Sequence, residues 1–429
     1  MSARTAVALA LMLGAQPALA CTGQSVHLDG EFKTGELGWG RTDAQFQATG
    51  REAVLAPQPG TQIARWDTAV TLTDLDACVT LAMPASTADA SRTYAGLLFW
   101  LTDKDNFYEA VVAPNGLFTV ARKVGGKMAA TAPVTWSKTD AIKTGAGEKN
   151  TLRVTLEGQS VIVRINDTEV ARFRGQAPAA PSHLGLVAGA GPEGADTWRM
   201  TDLKATNVAA AQTPAAPTPP VSAATAQPLS TGAVQAEAGC AEGKVLFADD
   251  FKSHDPTWGP KDARLAIAAG EAVFTPVPGT RTFRWNRAFV FGDVDACATV
   301  RLANATSDPT ASYAGLIFWV EDDRNYYQAV LAPSGYFTVA RVADGKVEAQ
   351  RPVDWKKLDV AKTGAKEKNT LRVTSKGSEV QVSVNGKQVA SFKGEAPERP
   401  SYIGMLAASA PGRKGDAWSI ADFKVAAPR

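Results

Sequence analysis

Apolar and polar residues alternate with a period of two in many short segments, a pattern that predicts β-strands. The run 152–156 alternates in this way and is followed, after turn residues, by a second alternating run, 161–165. The run 380–384 leads into Asn385-Gly386, a dipeptide typical of a two-residue hairpin turn. Frequent turn signals and little helical periodicity predict an all-β chain made of antiparallel β-sandwiches.

Strict alternation in the segment 94–101 predicts which side chains share a face of one strand. One face would carry Ala95, Leu97, Phe99 and Leu101, and the other Tyr94, Gly96, Leu98 and Trp100. A short turn leads to the next strand, so we expect Trp100 and Tyr108 to lie near each other on one face.

The chain contains two copies of one sequence unit. Two pairs of cysteines have the same spacing of 57 residues, and the pairs are offset by 219 residues. At this offset, 94–122 matches 313–341 at 19 of 29 positions, and four pairs of tryptophans correspond. The fifth pair, Trp198 and Trp418, corresponds after a one-residue insertion. A repeat of this size predicts two similar domains rather than a solenoid.

The copies are separated by a segment that cannot form a hydrophobic core. Residues 209–239 are rich in Pro and Ala, contain no aromatic residue and carry one charge, Glu237. This composition predicts an extended linker. We therefore expect a first β-sandwich domain over 21–208 and a second over 240–429.

The N-terminus has the pattern of a secretory signal peptide. Arg4 precedes the apolar run 6–15, and Ala18-Leu19-Ala20 provides a small-residue cleavage site before Cys21. We expect 1–20 to be removed and the mature chain to be periplasmic or extracellular. A lipoprotein signal, with Cys21 acylated, is the alternative.

The cysteines of an exported chain are expected to form disulfides. Four cysteines allow three pairings, and the equivalence of the two copies favours Cys21–Cys78 and Cys240–Cys297. Closing loops of this length stabilises each domain by about 4 kcal/mol on the chain-entropy estimate.

Charge and hydropathy exclude two classes of partner. The 45 Lys and Arg residues nearly balance the 43 Asp and Glu residues, for a net charge of +2. Nucleic-acid binders usually carry a strong basic excess, so no nucleic-acid partner is expected. The apolar run at the N-terminus is too short to span a bilayer, and the mature chain is expected to have no transmembrane segment.

Several motifs resemble those of bacterial concanavalin A-like (laminin G-like) jelly-roll domains, a superfamily that includes lectins, glycanases, hydrolases of keto-sugars and non-catalytic accessory domains. The opening strand is 245–251, followed by Trp258, and the central hairpin, of the form G-hydrophobic-F followed by D-x-x-N-Y-Y, is 313–319 with 322–327. The N-x-L-R-V and V-N-G-K pair is 369–373 with 384–387, and the closing strands are 403–405 and 418–423. The resemblance covers nearly all of both copies. It implies two tandem jelly-roll sandwiches, and it leaves the function open.

Most catalytic chemistries lack their residues in at least one copy. None of the three histidines has a histidine counterpart, the cysteines are expected to be paired, and the E-x-D-x-x-E run usual in glycanases of this fold is absent. Glu109 lies in mid-strand, but its counterpart is Gln328. We therefore predict no catalytic residues, no cofactor and no metal site.

Two groups of acids leave alternatives open. Asp74 and Asp76 lie two apart before Cys78, as do Asp293 and Asp295 in the second copy; they either share a face or end a turn. Acids at 103–105 and 322–323 lie in a hairpin turn and either ligate calcium or face solvent.

The repeated aromatic residues are the strongest candidates for a binding site. Sugar rings stack on Trp and Tyr faces while Asn and Arg side chains bond the hydroxyl groups. The alternative for each tryptophan is a place in the core, and for each Arg-Trp pair a local cation–π contact. The predicted ligand-binding residues are Arg65, Trp66, Trp100, Asn106, Tyr108, Arg122 and Trp136 in the first copy and Arg284, Trp285, Trp319, Asn325, Tyr327, Arg341 and Trp355 in the second.

The function favoured by the sequence is non-catalytic binding of carbohydrate or another cell-envelope glycan by an exported tandem protein. One alternative is a sugar hydrolase of the keto-disaccharide or glycoside hydrolase type on the same fold. Another is a structural envelope protein that binds other proteins.

Overall fold

The structure is a computed structural model that describes most of the chain. The described residues are 21, 25–34, 38–84, 92–129, 131–194, 196–208, 240, 243–260, 262–304, 308, 311–412 and 415–429. The expected signal peptide and the expected linker lie outside these residues.

The regular elements of the first copy, within its described residues, are all strands. They are β1 (Val26–Asp29), β2 (Phe46–Thr49), β3 (Glu52–Leu55), β4 (Gln62–Trp66), β5 (Leu75–Ala82), β6 (Tyr94–Asp103), β7 (Asn106–Val112), β8 (Leu117–Val124), β9 (Lys127–Met128), β10 (Val134–Lys138), β11 (Lys149–Glu157), β12 (Ser160–Ile165), β13 (Thr168–Arg174), β14 (His183–Gly189) and β15 (Trp198–Thr206).

The second copy repeats these strands and adds one turn of 3₁₀-helix, Pro256–Trp258. The strands are β16 (Val245–Asp249), β17 (Leu265–Ala268), β18 (Glu271–Phe274), β19 (Arg281–Trp285), β20 (Val294–Leu302), β21 (Tyr313–Val320), β22 (Tyr326–Leu331), β23 (Tyr336–Ala343), β24 (Lys346–Val347), β25 (Val353–Lys357), β26 (Asn369–Lys376), β27 (Glu379–Val384), β28 (Lys387–Lys393), β29 (Tyr402–Ala408) and β30 (Trp418–Ala426).

The strands form four antiparallel sheets, two in each copy. In the first domain, sheet 1A has the order β13-β12-β11-β5-β15-β3-β2 with β1 beside β15, and sheet 1B has the order β10-β8-β7-β6-β14-β4 with β9 beside β8. In the second domain, sheet 2A has the order β17-β18-β30-β20-β26-β27-β28 with β16 beside β30, and sheet 2B has the order β19-β29-β21-β22-β23-β24 with β25 beside β23. The expectation of two antiparallel β-sandwich domains is confirmed.

Each sandwich buries the inward-facing residues of its two sheets. In the first domain, Val154 of sheet 1A and Leu97 of sheet 1B belong to the same fully buried cluster. The alternation in the sequence produces this core, because successive residues of a strand point to opposite faces of the sheet.

The alternation predicted for 94–101 is wrong from Trp100 onward. Trp100 has a φ of 47°, and the pairing register of β6 with β7 shifts after Phe99. This bulge inserts an extra residue, so Trp100 turns into the core beside Phe99, while Leu101 moves to the opposite face. The second domain has the same bulge at Trp319, with a φ of 50°.

Both predicted disulfides are present. Cys21 is bonded to Cys78 and Cys240 to Cys297, with Cα atoms 5.8 and 5.4 Å apart. Cys78 lies on β5 and Cys297 on β20, so each bond ties a segment outside the strands to the centre of sheet 1A or 2A.

The two domains contact each other, and one part of the contact is formed by a loop of the second domain. The Ala288 carbonyl accepts hydrogen bonds from Tyr108 Oη at 2.7 Å and from an Arg122 guanidinium nitrogen at 2.8 Å. The Gln176 side-chain amide bonds both the carbonyl and the N–H of Val290, at 3.1 and 3.3 Å. The 286–291 loop is thereby seated against one end of the first sandwich.

Candidate functional site

The outer face of sheet 1B is a second apolar surface, separate from the core. Leu98, Phe107, Val111 and Val187 cluster there, and Trp66 packs against them. They alternate along their strands with residues of the core, so they lie on the side of the sheet that faces away from sheet 1A.

Sheet 2B has the equivalent outer face. Ile317, Tyr326, Val330 and Leu406 form its centre, and Trp285 packs against it. The two surfaces are called here the outer faces of the first and second domains. Each contains a tryptophan that the sequence predicted for ligand binding, Trp66 or Trp285.

An aromatic pair lies on each outer face. Trp136 contacts Tyr94 edge-on, with ring centroids 6.1 Å apart, and Trp355 contacts Tyr313 in the same way at 5.8 Å. The Trp136 side chain is 43% exposed, so its indole face is open to a ligand. These pairs supply the apolar surface on which a sugar ring can stack.

A buried carboxyl group lies at the centre of the first outer face. Glu109 is only 4% exposed, and one of its carboxyl oxygens accepts a hydrogen bond of 2.7 Å from the Gln62 amide. Burial raises the pKa of Glu109 to about 7, partly offset by the Gln62 hydrogen bond and the charge of Lys123. Burial and the Glu109 charge in turn raise the pKa of Tyr94.

The second outer face carries a different polar centre. Gln328 stands where the first domain has Glu109, and Arg281 stands where it has Gln62. The Arg281 guanidinium lies over the Tyr326 ring, 5.9 Å from its centroid. The two outer faces thus have the same aromatic pair with opposite charge at the centre.

Trp100 and Tyr108 lie close together, as expected, but in the core rather than on an outer face. Their rings meet edge-on with centroids 5.2 Å apart, and the side chains are 4% and 2% exposed. A Cβ atom on Gly175 would lie 2.4 Å from the Trp100 ring, so this glycine leaves the space that the indole fills.

The corresponding residues of the second domain are placed in the same way. Trp319 and Tyr327 meet at 5.2 Å, and both are 5% exposed. Tyr327 Oη accepts a hydrogen bond from the backbone N–H of Glu395 at 3.0 Å. Neither domain therefore offers the face of this aromatic pair to a ligand in this structure.

The predicted arginines are engaged with the protein. Arg122 lies over the Tyr108 ring at 5.0 Å, and its counterpart Arg341 lies over the Tyr327 ring at 6.0 Å. Arg341 also forms ion pairs with Glu348 and Glu395 at 3.1 and 2.7 Å. Arg122 thus bonds a carbonyl group of the second domain, whereas the ion pairs of Arg341 lie within its own domain.

Arg65 and Arg284 join the edges of their two sheets. Arg65 pairs with Asp43 and Arg284 with Asp262, each at 2.6 Å. Arg65 also lies over the Phe46 ring at 5.4 Å, so its cation–π partner is this phenylalanine.

Asn106 and Asn325 hold hairpin turns together. The Asn106 amide donates to both carboxyl oxygens of Asp103, and Asn325 donates in the same way to Asp322. Asp103 and Asp322, the shared pair among the acids that the sequence offered as calcium ligands, therefore accept hydrogen bonds within their own turns. No group of three or more His, Cys, Asp or Glu side chains gathers around a common point within the described residues.

Asp76 and Asp295 form buried ion pairs. Asp76 accepts two hydrogen bonds from Arg153 at 2.7 Å, and Asp295 accepts two from Arg372 at 2.7 and 2.6 Å. Asp74 instead accepts from the Gly158 N–H in a turn. The two acids of the first copy thus serve different structural contacts.

Comparison with known proteins gives matches of fold at low identity. No family model and no curated protein matches the chain. Among solved structures, a carbohydrate-binding module from Bacillus subtilis is 16% identical, covers 41% of this chain and 99% of its own, and gives a TM-score of 0.31. A Bacillus licheniformis β-glucanase is 9% identical, with 44% and 99% covered and a TM-score of 0.33. The Emp47p carbohydrate recognition domain is 16% identical, with 42% and 95% covered and a TM-score of 0.33.

Each of these structures has about the length of one domain of this chain. The observed architecture of two antiparallel β-sandwiches agrees with the fold expected from the sequence. At such identities and TM-scores the matches carry no argument about ligand or activity, which must come from the geometry of this chain. Among the described residues, no helix is long and apolar enough to cross a membrane.

The sequence analysis predicted Arg284 as a ligand-binding residue but did not single out Gln62, Tyr94, Arg264, Arg281 or Arg287. A signal for the polar centre was present, because Glu109 interrupts the outward-facing apolar series of Phe107 and Val111. The absence of this acid from the second copy led to its dismissal.

Proposed function

We propose that this chain is an exported carbohydrate-binding protein that recognises cell-envelope glycans through the outer faces of its two sandwiches, without catalysis. The observation that carries the proposal is the aromatic pair repeated on both outer faces, Tyr94 with Trp136 and Tyr313 with Trp355.

The repeated pair has the properties that a saccharide needs. An exposed indole provides a flat apolar surface, and ligand sites combine such surfaces with a few polar groups that fix orientation. Gln62 and Glu109 supply an amide and a carboxyl group on the first face, and Gln328 and Arg281 supply their counterparts on the second.

The polar centres support binding rather than hydrolysis. A glycosidase needs two carboxyl groups about 5 to 10 Å apart on either side of the scissile bond. The hydrogen-bond partner of Glu109 is the Gln62 amide, and the second domain has an amide, Gln328, in place of the acid.

Export is supported by the cysteines. Both disulfides join equivalent positions of the two copies, and such bonds form and persist in oxidising compartments. The signal-like segment 1–20 agrees with this location.

The proposal is tested by binding of the mature chain to an array of envelope and plant polysaccharides. The replacements Trp136→Ala and Trp355→Ala, separately and together, should leave the fold intact and weaken binding about tenfold or more, because a stacking surface of this kind contributes roughly 1–2 kcal/mol.

The matched control is Val26→Ala, which removes an apolar side chain that is 47% exposed on sheet 1A. Its binding should equal that of the unmodified chain. Equal binding by the double tryptophan variant, or release of reducing sugar from any bound polymer, would contradict the proposal.

A further inference from the structure

A cleft of about 240 Å³ opens on one side of the second domain. It lies where β17 ends sheet 2A and β19 ends sheet 2B, so it is bounded by the edges of both sheets. The Arg284–Asp262 ion pair crosses between these edges at 2.6 Å.

Four arginines line this cleft. They are Arg264, Arg281, Arg284 and Arg287. The nearby carboxylates are Asp262, which is held by Arg284, and Asp323 at the lining. Within the described residues, the structure gives Arg264 and Arg287 no carboxylate partner, so the cleft has an excess of positive charge.

The crowding of these charges is visible at Arg287. Burial and the neighbouring Arg284 guanidinium lower the pKa of Arg287. An anion placed between the two guanidinium groups would relieve this repulsion.

Two of the residues that line the cleft contain a buried polar atom without a hydrogen-bond partner among the described residues. These atoms are the hydroxyl oxygen of Thr282, a residue that is 5% exposed, and the Nε of Arg284. A buried polar group without a partner costs free energy, so a ligand oxygen that reached either atom would be favoured.

The cleft also has an aromatic wall. Trp285 stacks on Phe283, with ring centroids 5.8 Å apart and an angle of 13° between the planes. Both side chains belong to the outer face of the second domain. The cationic cleft is therefore continuous with the proposed saccharide-binding surface.

The arginines belong to one copy only. The residues of the first domain at the positions of Arg264, Arg281 and Arg287 are Gln45, Gln62 and Thr68, and the position of Thr282 is occupied by Ile63. Only the structural pair of Arg284 with Asp262 is repeated, as Arg65 with Asp43. The first domain thus provides the uncharged form of the same surface.

We propose that this cleft binds the carboxylate of an acidic saccharide, with the guanidinium groups of Arg281, Arg284 and Arg287 around the carboxylate and the sugar ring against Trp285. Planar guanidinium groups match a carboxylate through two parallel hydrogen bonds, which gives this class of anion its advantage. The inference rests on the proposed function and names the class of glycan for one of its two faces.

The test is calorimetry on the full mature chain with tetragalacturonate as the acidic probe and its methyl ester as the neutral probe. We expect tetragalacturonate to bind at least tenfold more tightly than the ester, and this difference to shrink as salt is raised from 50 to 500 mM. A sulfated oligosaccharide serves as a second anion.

Two variants carry the residues of the first domain, so they are expected to fold. Arg281→Gln and Arg287→Thr should each reduce the affinity for tetragalacturonate about tenfold or more, as the loss of one charged hydrogen bond predicts. Arg287→Thr should leave binding of the methyl ester unaffected, because Arg287 is not one of the polar groups at the centre of the outer face. Lys376→Gln removes one exposed charge from sheet 2A and should change neither affinity.

Equal binding of the acid and its ester, or full affinity in both arginine variants, would overturn the carboxylate site. The proposed function would still stand in that case if binding of neutral saccharides depended on Trp136 and Trp355. Tighter binding of the sulfated probe would overturn the assignment to carboxylates. Absence of binding to every saccharide would overturn both proposals.

Discussion

Asp76 and Asp295 show how a buried acid can serve the fold alone. Each joins neighbouring strands through two hydrogen bonds to one arginine, and each is almost fully buried, at 1% and 2% exposure. Their partners Arg153 and Arg372 retain only partial access to solvent, with side chains 17% and 26% exposed. Removing one member of such a pair leaves the other charge incompletely solvated.

We therefore expect Asp76→Asn and Asp295→Asn to destabilise their domains by about 3 kcal/mol each, measured as a lower midpoint of urea unfolding. Saccharide affinity below the transition should not change. Unaltered stability together with lost binding would instead place these acids in a ligand site.

Glu109 makes the stability of the first domain depend on pH. Its pKa rises from an ordinary value near 4.5 in the unfolded chain to about 7 in the folded domain. Since the folded state then holds the proton more tightly, the stability of the first domain should fall as pH rises from about 4.5 through 7, by about 3 kcal/mol in total.

The replacement Glu109→Gln introduces the residue that the second domain already has at this position. It should remove that pH dependence and stabilise the first domain at pH 8, as seen in urea unfolding at pH 5 and pH 8. A variant that kept the slope of the unmodified chain would assign the dependence to another group.

At the scale of single strands, the bulges at Trp100 and Trp319 decide what the aromatic residues do. Each bulge turns an indole into the core, and each indole lies against a glycine, Gly175 or Gly394. A Cβ atom on Gly394 would lie 2.6 Å from the Trp319 ring. Each bulged tryptophan therefore needs the space that its glycine leaves free.

Gly394→Ala should destabilise the second domain by about 1–3 kcal/mol, because the added methyl group overpacks the core against the indole. Gly292→Ala is the matched control, since no atom lies within 4 Å of its added Cβ. The free energies of unfolding from urea titration compare the two. Equal stabilities would mean that the Trp319 ring shifts at little cost.

The strands could be predicted from the sequence, whereas their bulges could not. Period-two alternation and turn residues were sufficient to predict the sandwiches, and equal cysteine spacing to predict both disulfides. The bulge at Trp100 could not be predicted, because a single extra residue reverses the faces without a sign in the alternation. The cleft was missed because Arg264, Arg281 and Arg287 come from separate segments that only the edges of the two sheets bring together.

At the scale of the whole molecule, the contact between the domains uses several residues that the copies do not share, beside the shared Tyr108 and Arg122. Arg174 pairs with Asp249 at 2.7 Å, and Gln176 bonds the backbone of Val290. The positions equivalent to Arg174, Gln176 and Asp249 hold Lys393, Glu395 and Gly30. The contact is thus specific to one end of each domain.

Replacing Arg174 and Gln176 together by Ala should separate the domains and increase the radius of gyration in small-angle X-ray scattering, because the ion pair and both amide hydrogen bonds are lost. The matched control replaces Lys393 and Glu395 by Ala at the equivalent surface of the second domain. A double variant as compact as the control would show that the remaining contacts, among them those of Tyr108, Arg122 and Gln159, are sufficient to hold the domains together.

The seating of Ala288 and Val290 has a consequence for how this interface tolerates change. The first domain bonds two backbone carbonyl groups and one backbone N–H group of the loop. The side chains of Ala288 and Val290 take no part in these hydrogen bonds. Replacing the side chain of Val290 should therefore leave the hydrogen bonds to the first domain in place, except when the new residue is proline, which deletes the N–H donor. Asn286, Phe289 and Phe291 of the same loop are buried in the second domain, so their replacement would act through the stability of that domain and not through the side chains of the first domain.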